Sequence, residues 1–254
     1  MPDQEHYAKA PVTEAVIDFR VILSEEFNPS WIQGIRDALA DEYPEAQELF
    51  TGEVKFEFGE QSSASTHKEL LGVHLRANNQ KYIIQARSDG FMLSVLPPYQ
   101  NWESFQAEAL RLWQTYRSFF PVESITRVAV RYINRIDIPF PTDGSKLEQS
   151  DYFRTYPKMS DEYLFSDLDA MFMTVIIPQA DLEAAVILKQ ARTEPQYENT
   201  AAIILDIDLF TIPSREPWLV SDENKTWEYL ELLHLRKNHI FEASITERTR
   251  ELIR

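Results

Sequence analysis

The sequence predicts an α+β protein in which antiparallel strands, in one or two sheets, are covered on one side by long helices. Segments of alternating apolar and polar residues are separated by hairpin residues, which is typical of antiparallel strands. Two longer apolar stripes at helical spacing, after Asn101 and after Asp222, predict the main helices. The element order is strand, helix, four strands and helix, then strand, weak helix, three strands and helix. This order predicts a degenerate internal duplication, with halves at residues 1–126 and 127–254 packed as one globular unit.

The composition excludes several classes of protein. With 254 residues, 44% of them hydrophobic, the chain can bury a sizeable core. It contains no cysteine, which excludes disulfides, thiolate zinc sites and cysteine catalysis. A net charge of -16 argues against nucleic acid as a partner and suits a basic protein partner. The N-terminus lacks a signal-peptide pattern and no apolar run could span a bilayer, so we expect a cytoplasmic protein without a membrane partner.

The first half begins with a strand at residues 13–23 that carries Phe19 on its apolar side. Asn28-Pro29 and Asn101 each start a helix, because asparagine caps the first backbone N–H groups and proline suits the first helical position. Residues 61–68 are small and polar and predict a solvated loop. Strands are predicted at residues 53–58, 70–77, 81–87 and 91–96, with hairpins at Asn78-Asn79 and Asp89-Gly90.

The second half begins with the clearest strand of the chain, at residues 127–140. One alternate set of its side chains is apolar, and the other carries Arg127, Arg131 and Arg135 on the opposite face. The remaining predicted elements are a short helix at 147–156, strands at 168–177, 182–191 and 201–212, and one long helix at 222–253.

Two resemblances follow from these segments. The order of elements resembles the architecture of the TATA-box-binding protein, in which the first strands of two repeats pair at the centre; this implies fold alone. The segments APVTEAVIDFRV, VRYINRIDIP and LHLRKNHIFEASITERTRELI resemble a sporadically distributed family of uncharacterised bacterial proteins of about this length. That resemblance implies a bacterial protein and supplies no activity.

The polar side of the predicted sheet is the main candidate for a ligand site. Arginine forks bind anionic groups through paired hydrogen bonds, so this side suits a nucleotide or another anionic ligand. The candidate ligand-binding residues are Arg20, His74, Arg76, Arg87, Arg131 and Arg135. Two other interpretations remain open. The face could be a plain solvated sheet face, or the strands at 13–23 and 127–140 could pair and place Glu14 and Asp18 against Arg131 and Arg135.

Two further groups of residues have both a functional interpretation and an interpretation as an ordinary polar surface. Asp206 and Asp208 point to one side of a strand, which suits a hard cation or a polar sheet face. On the last helix, a polar patch suits a protein partner or plain solvent. Its residues are Arg236, Lys237, Asn238, His239 and Glu242, of which all but Lys237 are candidate partner-binding residues.

Three functions are compatible with the sequence. The first is a non-enzymatic protein that binds a protein partner, as an antitoxin- or immunity-like inhibitor or as a subunit of an assembly. The second is a sensor of a nucleotide or other anionic ligand, and the third is a metal-dependent hydrolase at Asp206 and Asp208. No catalytic residue, bound metal or cofactor is predicted. Because open antiparallel sheets leave unpaired edges, a homodimer is compatible with each function.

Overall fold

The computed structural model describes residues 7–57, 63–143, 145–158 and 170–254. The fold is α+β, with one large antiparallel sheet of ten strands and four α-helices in these residues. The first half contains β1 (Val12–Leu23), α1 (Ser30–Leu39), β2 (Glu45–Glu57), β3 (Ser63–Arg76), β4 (Tyr82–Arg87), β5 (Gly90–Val95) and α2 (Trp102–Phe119). The second half contains β6 (Val122–Pro139), which begins before the predicted boundary at residue 127, and then β7 (Phe172–Gln179), β8 (Ala184–Thr193), β9 (Thr200–Thr211), β10 (Trp218–Leu219), α3 (Glu223–Ser244) and α4 (Glu247–Ile253).

The strands follow the order β2-β3-β4-β5-β1-β6-β9-β8-β7, and β10 pairs with β6. The opening strands β1 and β6 are therefore neighbours at the centre, and their antiparallel pairing confirms the expected pairing of residues 13–23 with 127–140. The strands β2 and β7 lie at the two edges of the sheet.

The core forms on the side of the sheet that carries the apolar alternate sets. Phe19 on β1 is fully buried, and its ring packs edge-on against Trp113 of α2 at 5.2 Å and Trp227 of α3 at 5.4 Å. Tyr132 on β6 is buried beneath α3. One central strand residue thus joins the long helix of each half to a single core. None of the helices in the described ranges is long and apolar enough to cross a membrane.

Several predicted elements need correction. The segment 63–68, expected as a loop, belongs to β3, because it pairs with β2 along the whole hairpin. The predicted helix at 147–156 is reduced to a single 3-10 turn at Gln149–Asp151. The last helix is interrupted at Ile245, where the backbone becomes extended and pairs with Phe153. The predicted strand at 168–177 is shifted to β7; residues 168 and 169, like residues 58–62, lie outside the described ranges.

The two hairpins form where they were predicted, but the residues that make them possible act differently from the prediction. At the first, the left-handed residue is Gln80 and neither of the asparagines before it. At the second, a Cβ atom on Gly90 would lie 2.3 Å from the carbonyl oxygen of Phe19. Gly90 is therefore needed for the close approach of β1 and β5, and its backbone is not left-handed.

Candidate functional site

The side of the sheet opposite the core carries the arginines, and we call it the charged face; its central residues are Asp18, Arg87, Arg127, Arg131 and Asp206. In the structure these charges are paired with one another. Asp18 accepts hydrogen bonds from Arg87 at 2.9 Å and from Arg127 at 2.6 Å. Arg131 forms a bidentate pair with Asp206 at 2.8 and 2.7 Å. The charged face is thus a network of ion pairs between side chains of β4, β1, β6 and β9, which lie within five neighbouring strands.

The predicted partners within this network are wrong, although the network exists. Glu14 and Asp18 were expected opposite Arg131 and Arg135. In the structure Glu14 accepts a hydrogen bond from Ser94, and Arg135 pairs with Asp137 on its own strand at 3.0 Å. The cause is the register, since the residue opposite Arg131 on β1 is Val16 while the one opposite it on β9 is Asp208.

The other candidate ligand-binding residues are also occupied or weakly placed. Arg20 is paired with Asp89. Arg76 lies 3.8 Å from Glu45, and the neighbouring His74 is a poor cation because burial and Arg76 lower its pKa. The hydrogen bonds with Asp206 raise the pKa of Arg131, which shows how strongly that cation is already satisfied. An anionic ligand would have to displace these carboxylates.

The aspartates proposed for a cation are held by basic side chains. Asp206 pairs with Arg131 and lies 3.6 Å from Lys189, while Arg127 lies 3.8 Å from Asp208. Burial raises the pKa of Asp208, which makes it a weaker metal ligand. In the described ranges, no three His, Asp or Glu side chains are grouped as a metal site would require. This arrangement favours the interpretation of the two aspartates as part of a polar sheet face.

The candidate partner-binding residues of α3 differ in what they contact. Arg236 binds Asp181 and Gln179, and so holds the connection that follows β7. Asn238 contacts the ring of His234, and His239 is exposed. Glu242 accepts hydrogen bonds from Tyr7 and Arg250. Arg236 and Glu242 thus tie α3 to other parts of the fold.

Lys237, from the same predicted patch, is buried in the core. Only 7% of its surface is exposed, and its Nζ lies 3.5 Å from the centre of the Tyr132 ring. Burial lowers the pKa of Lys237 to about 7, with Glu242 opposing the change. The adjacent His234 stacks on Trp102 at 4.1 Å, and burial lowers its pKa to about 2. The sequence contains a signal for this, because position 237 continues the helical stripe of Leu230, Leu233 and Phe241.

A cleft of about 690 Å³ lies between α2 and the loops that flank β2 and β4. Four of its polar side chains bind one another: Glu108 accepts hydrogen bonds from Tyr43 at 2.8 Å and from Arg111 at 2.7 Å, and Arg111 also donates to Glu42. A ligand of these groups would have to compete with those contacts.

The edge strand β7 is different, because its surface is apolar and open. Phe172, Ile176 and Ile177 are 73%, 67% and 41% exposed. The sequence of β7, FMTVIIPQ, contains no charged residue. In the part of the chain that the structure describes, no strand pairs with the outer side of β7. Long apolar edges are usually protected by charges or by a partner.

The backbone of β7 shows which groups are available on this edge. The amide N–H of Arg192 on β8 donates to the carbonyl of Met171, so the odd-numbered residues of β7 face β8. Phe172, Thr174 and Ile176 therefore direct their N–H and C=O groups outward. Pro178, which has no N–H, belongs to the same outward set, as expected for proline at an edge. As far as the described residues show, the edge thus presents a regular row of unpaired backbone groups.

The opposite edge shows the usual protection. Glu45 and Glu48 are exposed on β2, and Lys68 of the neighbouring strand covers the ring of Phe50 at 3.5 Å. Of the two edges, judged by the residues that the structure describes, β7 is the one that combines an open backbone with an uncharged, apolar surface.

The chain was compared with known proteins. No protein-family model matches it, and no curated protein matches it. The assignment of a functional site therefore depends on the geometry of the described residues.

Sequence reasoning predicted a strand near β7 but did not place it at the edge. The run FMTVIIP has no charge and no clear alternation, which is the only signal in the sequence for its position. The edge could not be predicted because strand order depends on long-range pairing.

Proposed function

We propose that this protein is a non-enzymatic subunit that binds a protein partner by accepting a β-strand at the outer edge of β7. The observation that carries the proposal is the open edge at Phe172, Thr174 and Ile176. An added strand would satisfy these backbone groups, and its side chains would cover Phe172 and Ile176. Strand addition is a recurring mode of protein recognition and needs no catalytic group.

The surroundings of β7 suit an extended peptide. Phe172 and Ile176 both lie on the charged face, because the β8 residues directly opposite them lie on that face. Ile177 points to the other side, so an added strand could bury apolar side chains on both faces. The apolar core of this site would supply affinity, while the backbone would set the direction of the strand.

Three further properties of the protein are proposed. We infer an internal duplication, which is supported by the central pairing of β1 and β6 as the opening strands of both halves. Membership of the bacterial family that the sequence resembles belongs to this proposal, and so does a cytoplasmic location.

Replacement of Thr174 by proline tests the proposed site. The N–H of Thr174 points outward, so Thr174→Pro removes one edge donor without removing a hydrogen bond to β8. In affinity capture from the native host, wild-type protein should recover a partner that Thr174→Pro does not. Quantitative mass spectrometry of the captured proteins measures this difference.

A matched variant separates the backbone from the side chain. Thr174→Val retains the N–H and should recover the partner as the wild type does, with all three proteins showing the same circular dichroism. If folded Thr174→Pro recovers the same proteins in the same amounts as wild type, β7 is not the binding site.

A further inference from the structure

We infer that the strand which adds to β7 is the β7 strand of a second copy of this chain, so that two sheets join into one. This inference rests on the proposed function and names its partner. The evidence is the pattern of outward backbone groups and exposed side chains along β7.

The outward backbone groups define one register for such a pair. Phe172, Thr174 and Ile176 direct their N–H and C=O groups to the edge, so an antiparallel partner must place its own outward residues opposite them. A two-fold axis at Thr174 does this for all three residues. Thr174 then lies opposite its own copy, and Phe172 lies opposite Ile176 of the other chain.

Phe172, Thr174 and Ile176 would all be paired in this register. Each of these residue pairs would exchange both of its backbone hydrogen bonds. Pro178 would lie just beyond the last pair, where its missing N–H leaves no donor unmatched. Moving the axis by one residue, to Val175, would place Pro178 opposite Phe172 and lose a hydrogen bond at each end.

The side chains match in the same register. Directly opposite residues of an antiparallel pair share a face, so Phe172 of one chain would pack against Ile176 of the other, twice. These are the two most exposed apolar side chains of β7, at 73% and 67%. An isologous contact of this kind needs a surface that is complementary to itself, which β7 provides.

Charge opposes the association of two copies at long range but not at the β7 contact itself. Each chain carries a net charge of -16, so two copies repel at long range. The β7 strand has no charged residue, and like charges are therefore not placed opposite each other at the contact. Because salt screens the long-range repulsion, the dimer should become stronger as salt is added.

A cysteine at position 174 tests both the partner and the register. The native chain has no cysteine, so any disulfide in Thr174→Cys must join two introduced thiols. Hydrogen-bonded antiparallel pairs have Cα atoms about 5.5 Å apart, within the range that a disulfide spans. Mild oxidation, or a short thiol-specific cross-linker, should convert folded Thr174→Cys to a covalent dimer.

Ala170→Cys is the matched control, because the same register separates the two copies of position 170 by about 27 Å. It should remain uncross-linked.

Light scattering on purified wild-type protein should show a dimer that Thr174→Pro converts to a monomer and that Thr174→Val preserves.

The outcomes separate this inference from the proposed function. A wild-type protein that stays monomeric, with no cross-link in Thr174→Cys, overturns self-pairing; partner capture that depends on Thr174 would still support the edge as a binding site. A dimer that persists in Thr174→Pro overturns self-pairing through β7. Equal cross-linking of Ala170→Cys and Thr174→Cys overturns the register.

Discussion

Replacing Lys237 by methionine should stabilise the protein. The side chain is buried, its ammonium group is held by the Tyr132 ring, and no acidic group among the described residues forms an ion pair with it. Its pKa falls from 10.5 to about 7, which corresponds to a cost of roughly 5 kcal/mol for keeping the proton. Loss of the cation–π contact offsets part of the gain. We expect Lys237→Met to raise the free energy of unfolding by about 2–4 kcal/mol at pH 7.

The pH dependence gives a second readout of the same effect. The pKa of Lys237 is lower in the folded state, so between about pH 7 and 10.5 the unfolded chain binds more protons. Stability of the wild type should therefore increase as the pH rises through this range, relative to Lys237→Met. The difference between the two proteins should be largest at or below pH 7 and should shrink toward pH 10.

The measurement is urea unfolding at several pH values. Lys225→Met is the control, since Lys225 is exposed on the same helix and its replacement should change stability little. A lower stability for Lys237→Met at pH 7 would contradict this account and would mean that the ammonium group makes a favourable interaction in the folded state.

Phe19→Ala should cause a large loss of stability. Phe19 is fully buried and packs against Trp113, Trp227 and Phe91 at centroid distances of 5.2, 5.4 and 6.4 Å. Its removal leaves a cavity between the sheet and the long helices of both halves. Replacement of a buried phenylalanine by alanine costs about 3–5 kcal/mol.

Phe19→Leu is the matched control for this substitution. Leucine fills much of the same volume, so its cost should be smaller, about 1–2 kcal/mol. Denaturant unfolding followed by tryptophan fluorescence measures both variants, because two of the contacted rings are tryptophans. A loss below about 1 kcal/mol for Phe19→Ala would show that Phe19 does not link the two helices to the sheet.

The elements that could be predicted from sequence are those with a strong local pattern. β1 and β6 were predicted from their alternating apolar and polar residues, and their pairing, which the sequence left open, is confirmed by the register. The start of α2 was predicted from Asn101, whose side chain accepts the N–H of Ser104. Such features depend on neighbouring residues and need no knowledge of the rest of the fold.

Features that depend on register or on a distant partner could not be predicted. The pairing of Arg131 with Asp206 requires that β9 lie beside β6 in one particular alignment. Lys237 was assigned to the surface by its charge, although its position on the helix places it in the core. The edge position of β7 follows from the order of all the strands, and no local pattern encodes that order.

Backbone hydrogen exchange would show whether the outer edge of β7 is open and accepts a strand. Single-residue exchange rates would be measured by NMR in dilute protein and in the assembled state. The amides of Met173, Val175 and Ile177 face β8 and should be protected in both states. The outward amides of Thr174 and Ile176 should exchange rapidly in dilute protein and become protected on assembly. If both outward amides are already protected in dilute protein, or gain no protection on assembly, β7 is not an open edge that accepts a strand.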